Sequence, residues 1–183
     1  MERHPASPRL DHCPEGLPRA GYTGAEWYAR EMRGIFGRNW IAAGRAEAMA
    51  PGSMRRVRLG EAEAMLCRGA DGRFSAFHNA CRHRGSELCR DVVEPLGALI
   101  RCPYHAWSYA ASDGRLVSTA HALPAADFDK GAHGLVPVAV RLWNGFVFLN
   151  AAAEPGPLQA DMPLDVLDNW RMDRLLPGHR YEK

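Results

Sequence analysis

Residues 81–109 read "CRHRGSELCRDVVEPLGALIRCPYHAWSY". Cys81 and His83 stand two apart, eighteen residues follow, and then Cys102 and His105 stand three apart. Each short motif supplies one thiol and one imidazole. Each lies between segments of strand-like alternation, so each is expected at the tip of a hairpin, where the two would converge as four ligands.

Three chemistries use such residues. A Cys–His nucleophile pair needs one thiol and one base, which leaves the other two residues unexplained. A structural zinc site takes two Cys and two His, but usually groups them as C-x-x-C and H-x-H pairs, and it leaves the aromatic flanks unexplained. A 2Fe-2S cluster with two cysteines on one iron and two histidines on the other needs one Cys and one His from each loop. The mixed pairing C-x-H and C-x-x-H is the discriminating feature.

"NACRHRGSELC" and "RCPYHAWSYAASDGRL" resemble the Rieske motifs of the alpha (large) subunits of Rieske non-haem iron ring-hydroxylating oxygenases. The resemblance implies a Rieske 2Fe-2S cluster on Cys81, His83, Cys102 and His105, with Arg84, Tyr104, Trp107 and Tyr109 around it. Ala106 departs from that pattern, which more often has glycine there, and the gap between the motifs is at its long end. The helix in "YTGAEWYAREMRGIFGRNW" resembles the lead-in of these subunits, and "FDKGAHGLVPVAVRLWNGFVFLN" their closing strand pair. Stand-alone Rieske ferredoxins, the alternative, lack the lead-in. The variants lean towards the glycine betaine and carnitine monooxygenase-like branch.

Working outward, 183 residues can bury one good core. The fold class expected is mainly β: an antiparallel sandwich or small barrel, with an N-terminal helix and a short C-terminal helical linker. Three stretches are expected: an extended segment and helix over 1–40, the Rieske domain over 41–150, and a linker over 151–183 that leads to a catalytic domain this chain lacks. The helix should start at Thr23 with the T-x-x-E capping box to Glu26, carry Tyr28, Met32, Ile35 and Phe36 on one face, and stop at Gly37. "AEAMLCR" and "RFSAFHN" read as a hairpin around Asp71-Gly72. Val136, Val138, Val140 and Leu142 alternate cleanly, and a last short helix is expected near 164–171.

A net charge of +2 argues for neither nucleic acid nor an anionic membrane as partner. The N-terminus carries charge and proline where a secretory signal needs an apolar run. Five cysteines form no disulfide framework, so a cytoplasmic setting with reduced thiols is expected. Cys13, Cys67 and Cys89 read as a loop thiol and packing thiols. His78 reads as a structural hydrogen-bonder, and His4, His12, His121, His133 and His179 as loop residues. Arg82 and Arg84 read as a solvated rim that an acidic electron donor could meet.

Respiratory Rieske proteins of high potential add a disulfide and a serine hydroxyl near the cluster. Ser86, Tyr104 and Trp107 stand at those positions, which implies a potential near the low end, about −150 mV. Tyr109 is left as a hydroxyl donor. No His/His/carboxylate triad for a mononuclear Fe(II) site is found, so by itself the chain is expected to carry electrons from a reductase or ferredoxin and to hydroxylate nothing. The family's parent subunits are commonly trimers. This chain is expected to be a monomer with both histidine edges in solvent, and a potential that falls as pH rises.

Overall fold

The computed structural model describes residues 15–120, 125–162 and 164. Ten strands form three antiparallel sheets: β1 (Ile41–Arg45), β2 (Ser53–Leu59), β3 (Ala62–Arg68), β4 (Phe74–His78), β5 (Val93–Pro95), β6 (Leu99–Arg101), β7 (Ser108–Ala110), β8 (Leu116–Ser118), β9 (Ala139–Trp143) and β10 (Phe146–Asn150). Their orders are β1-β10-β9, β4-β3-β2-β5 and β6-β7-β8. The fold is mainly β as expected, as packed open sheets rather than a closed barrel.

The four-stranded sheet is the middle layer, and β3 shows why. Its run Ala64-Met65-Leu66-Cys67 is buried throughout, because neighbouring side chains point to opposite faces. Ala64 and Leu66 pack with Val147 and Leu149 of β10. Met65 and Cys67 pack on the other face with Ile100, Cys102 and Tyr109. That second core lies directly beneath the two motifs.

Turn chemistry sets the hairpins. The β3–β4 turn forms around Asp71-Gly72 as expected, with Gly72 at φ 81 and a Gly72 N–H bond to the Gly69 carbonyl. Asn144 and Gly145, at φ 44 and 80, give β9–β10 the mirror-image turn that suits strand twist. Gly114, at φ 75, has no room for a side chain: an added Cβ would lie 2.5 Å from Phe77. Its carbonyl accepts from Leu135 N–H, which straps the segment before β9 across the core. Val138 is buried there, but Val136 and Leu142 are exposed, so the alternation marks a strap and an edge strand rather than a fully buried face.

The N-terminal helix differs from expectation. Two short helices, α1 (Arg19–Thr23) and α2 (Ala25–Glu31), meet at Gly24, and a wider π turn runs over Met32–Phe36 to Gly37. No capping box forms at Thr23: its hydroxyl donates back to the Arg19 carbonyl, so Gly24 opens α2. Of the residues placed on one face, Tyr28, Ile35 and Phe36 are exposed and Met32 is half-buried.

The stretch after Asn150, expected to be a linker, packs on the body over its described part. Trp40 Nε1 donates to the Gly156 carbonyl, and Leu158 of α3 (Leu158–Asp161) and Leu164 are buried with Trp40 and Phe148. The helix expected near 164–171 lies outside the described residues, except for Leu164.

Candidate metal centre

The two motifs fold alike. In the first, the Cys81 N–H bonds to the Ser86 carbonyl and the Gly85 N–H to the Cys81 carbonyl. In the second, the Cys102 N–H bonds to the Trp107 carbonyl and the Ala106 N–H to the Cys102 carbonyl. The fifth residue of each is left-handed, Gly85 at φ 72 and Ala106 at φ 57. Each cysteine is thus turned inward and buried, while the histidine of the same loop lies towards the outside.

Their settings differ. The second loop is a hairpin tip between β6 and β7, as expected. The first is not: it joins β4 to β5, which sit at opposite edges of the middle sheet. With no ladder to close it, Asn79 does so. Its Oδ1 accepts from Leu88 and Cys89 N–H at 3.0 and 2.8 Å, and its Nδ2 donates to the Cys89 carbonyl at 2.8 Å. Asn79 is buried, and sequence reasoning passed over it; an Asn two residues before a ligand motif was the available signal.

All four motif residues come together on one side of the second core. The His83 and His105 rings meet edge to face, with centroids 4.7 Å apart. His83 is exposed, but His105 is half-buried, with its Nδ1 buried and without a partner, so the expectation that both histidines stand open holds for His83 alone. Tyr109 is fully buried, its hydroxyl 3.1 Å from Cys81 Sγ and accepting from Arg82 N–H at 3.1 Å. Burial, then the adjacent Cys81 sulfur, pushes its ionisation up, so the hydroxyl keeps its proton and can donate to a sulfur that has lost its own.

Burial also pushes the Cys81 thiol up. At Cys102 burial opposes charge too, but the N–H groups of Tyr104 and His105 and the Cys81 and Ser86 side chains outweigh it and hold the thiol down. Among the described residues no three His, Cys, Asp or Glu side chains close on a point where one metal ion could sit. The donor set, one thiol and one imidazole from each loop, is the one a cluster held by two cysteines and two histidines needs. A buried, unpartnered imidazole nitrogen beside two cysteines is what such a group would use.

Trp107 is buried and stacks on His83, centroids 4.8 Å apart and planes at 13°. Tyr104 lies on the opposite, open side: it is exposed, over His105 at 3.8 Å and under the Arg84 guanidinium at 5.8 Å. It covers a histidine from solvent. Arg82 is exposed as expected of a rim. Cys67 and Cys89 are buried packing thiols; Cys13, His4, His12, His121 and His179 lie outside the described residues.

Residues 39–129 match the Rieske [2Fe-2S] domain. The chain belongs to the Rieske family. It is 42% identical over 155 residues to the glycine betaine monooxygenase oxygenase subunit of Chromohalobacter salexigens, covering 84% of this chain and 34% of that protein. It is 34% identical to the chloroplastic choline monooxygenase of Spinacia oleracea, over 78% of this chain and 31% of the relative. Among solved structures, the quaternary ammonium Rieske monooxygenase CntA in complex with L-carnitine superposes with a TM-score of 0.72 at 27% identity, covering 83% of this Rieske chain and 44% of that one. A naphthalene 1,2-dioxygenase with indole bound gives 0.64 at 30% identity, covering 74% and 31%. The chain spans about a third of the length of the first of these relatives. No helix among the described residues is long and apolar enough to cross a membrane.

Proposed function

We propose that Cys81 and Cys102 hold one iron of a 2Fe-2S cluster and His83 and His105 the other, and that this chain is the electron-transfer part of an oxygenase alpha subunit of the quaternary ammonium branch. One observation carries the reading: two loops of matching backbone bring two donor-supplied cysteines beside a His105 Nδ1 that is buried and unpartnered. When bound, a cluster of this kind accepts and releases one electron at a time.

The chain's own residues set the conditions for that exchange. The Tyr109 hydroxyl and the loop N–H groups place partial positive charge against the sulfurs, which favours the more negative, reduced state. Buried Trp107 keeps water from one face of His83. The exposed His83 edge gives electrons a short way out and leaves room for a hydrogen bond from a facing protein.

A reductase or ferredoxin would supply the electrons, and a mononuclear iron in a catalytic domain of the same or a neighbouring subunit would receive them. Two things support the oxygenase reading over a stand-alone ferredoxin. The identity to an oxygenase subunit runs over 155 residues, well beyond the Rieske segment, and the relatives named for glycine betaine, choline and carnitine cluster in one substrate chemistry. Residues 151–183 would lead towards the catalytic domain, with Trp40 holding their first part.

The test is anaerobic reconstitution of the chain with iron and sulfide, followed by absorption and electron paramagnetic resonance (EPR) spectra of the reduced protein. A rhombic Rieske signal, lost in Cys81→Ser and Cys102→Ser, is expected. Zinc retained in place of iron, or an all-cysteine type of spectrum, would overturn the assignment.

A further inference from the structure

His83 is the one proposed ligand that stands exposed. It stands in an exposed run, residues 82–85, and among the described residues its ring makes no hydrogen bond. Two ring contacts hold it: the His105 edge at 4.7 Å and the flat face of Trp107 at 4.8 Å. The orientation of His83 therefore depends on where Trp107 lies.

Trp107 in turn is fixed from its far side by the strap before β9. The Phe128 ring meets the indole edge-on at 5.8 Å and 80°, and the His133 ring at 6.0 Å and 70°. Phe128 and His133 lie against each other at 4.3 Å. His133 is itself pinned, because its Nδ1 is 2.7 Å from the Asp129 carbonyl, which can only accept a hydrogen bond. That bond fixes Nδ1–H as the donor and sets the angle of the ring. Three rings thus run in series from the strap to the ligand: His133, Trp107, His83.

We propose that His133 is a positioning residue for the cluster, acting through Trp107 to set the ring orientation of His83. A histidine ligand bonds best when the nitrogen lone pair points at the iron, so a ring free to tilt bonds less well and exchanges more readily. The strap segment, some fifty residues from His83 in sequence, then becomes part of the ligand's support. This inference rests on the cluster assignment proposed above.

The experiment compares the reconstituted full chain with His133→Ala and His133→Phe. Pulsed EPR reads the histidine-nitrogen hyperfine couplings, and absorbance decay during chelator challenge reads cluster loss. In His133→Ala one of the two histidine couplings should shift or broaden while the other stays, and cluster loss should speed up about fivefold, roughly what one aromatic pair is worth. His133→Phe keeps a ring against Trp107 and should restore most of both signals. Unchanged couplings and unchanged cluster loss in His133→Ala would overturn the proposal, as would a Phe variant no better than Ala. Wild-type chain without any Rieske signal would instead sink the cluster assignment, so the two failures are told apart.

Discussion

Ala106 stands at φ 57, the place its counterpart Gly85 fills at φ 72. A left-handed alanine crowds its own Cβ against the following carbonyl, at a cost of about 1–2 kcal/mol. Glycine removes that cost but adds freedom to the unfolded chain worth roughly 0.4–1 kcal/mol. Ala106→Gly is therefore expected to stabilise the protein by about 0.5–1 kcal/mol in urea unfolding; a destabilised variant would contradict the loop geometry. Tyr109 carries the complementary prediction. Its buried hydroxyl lies 3.1 Å from Cys81 Sγ and would donate to it once a cluster holds the sulfur as thiolate, so Tyr109→Phe withdraws a hydrogen bond that is strongest when the sulfur is most negative, in the reduced state. Losing about 1 kcal/mol of that preference lowers a one-electron potential by about 40 mV. Redox titration of both proteins checks it, and a potential that stays or rises would show that the hydroxyl does not bear on the cluster.

Strands and loops show how far local pattern reaches. The two proposed ligand motifs stand out in the sequence because metal chemistry dictates residue type and spacing, and the β3–β4 hairpin was legible because Asp71-Gly72 is a local turn signal. The setting of the first loop was not legible: the order β4-β3-β2-β5 arises from pairing between strands distant in sequence, which no window shows. His133 read as a loop residue for the same reason, since only the strap anchored at Gly114 brings it to Trp107. Cys67 and Cys89 bear out the packing reading and supply a pH prediction. Burial, then the nearby Cys89, pushes Cys67 from the ordinary 9.0 up to about 12. Burial, then Glu94, pushes Cys89 up to about 11. Above pH 9.0 the unfolded chain gives up protons that the native one keeps, so the stability these thiols contribute is whole below that value and is lost as pH climbs to about 11 for Cys89 and about 12 for Cys67. The urea midpoint should fall over that window, and less steeply in a Cys67→Ala, Cys89→Ala variant; equal slopes would mean the thiols are not shielded.

Across the whole molecule the layers agree with the pattern of the sequence, and the N-terminal helix pair does not. Spacing placed Tyr28, Ile35 and Phe36 on one apolar face of a single helix, whereas Tyr28 lies in α2 and Ile35 and Phe36 in the π turn that follows it. Spacing cannot show what meets such a face. Here nothing among the described residues covers it: Tyr28 is 57% and Phe36 39% exposed. What fixes the helix pair is its far end, where the Gly60 turn sits so close under the Met32 carbonyl that a side chain at Gly60 would collide with it, and where Trp40 enters the core at once. An exposed ring gains little from folding, so Tyr28→Ser and Phe36→Ser should each change unfolding free energy by less than about 0.5 kcal/mol. Were the face buried as the spacing suggests, truncating either ring would cost about 3–5 kcal/mol. Thermal melts of the chain, run beside the EPR spectrum of the proposed cluster, separate the two cases. Midpoints within a degree or two of wild type, with an unchanged spectrum, leave the face free on this chain, while a large drop would place a covering segment over it.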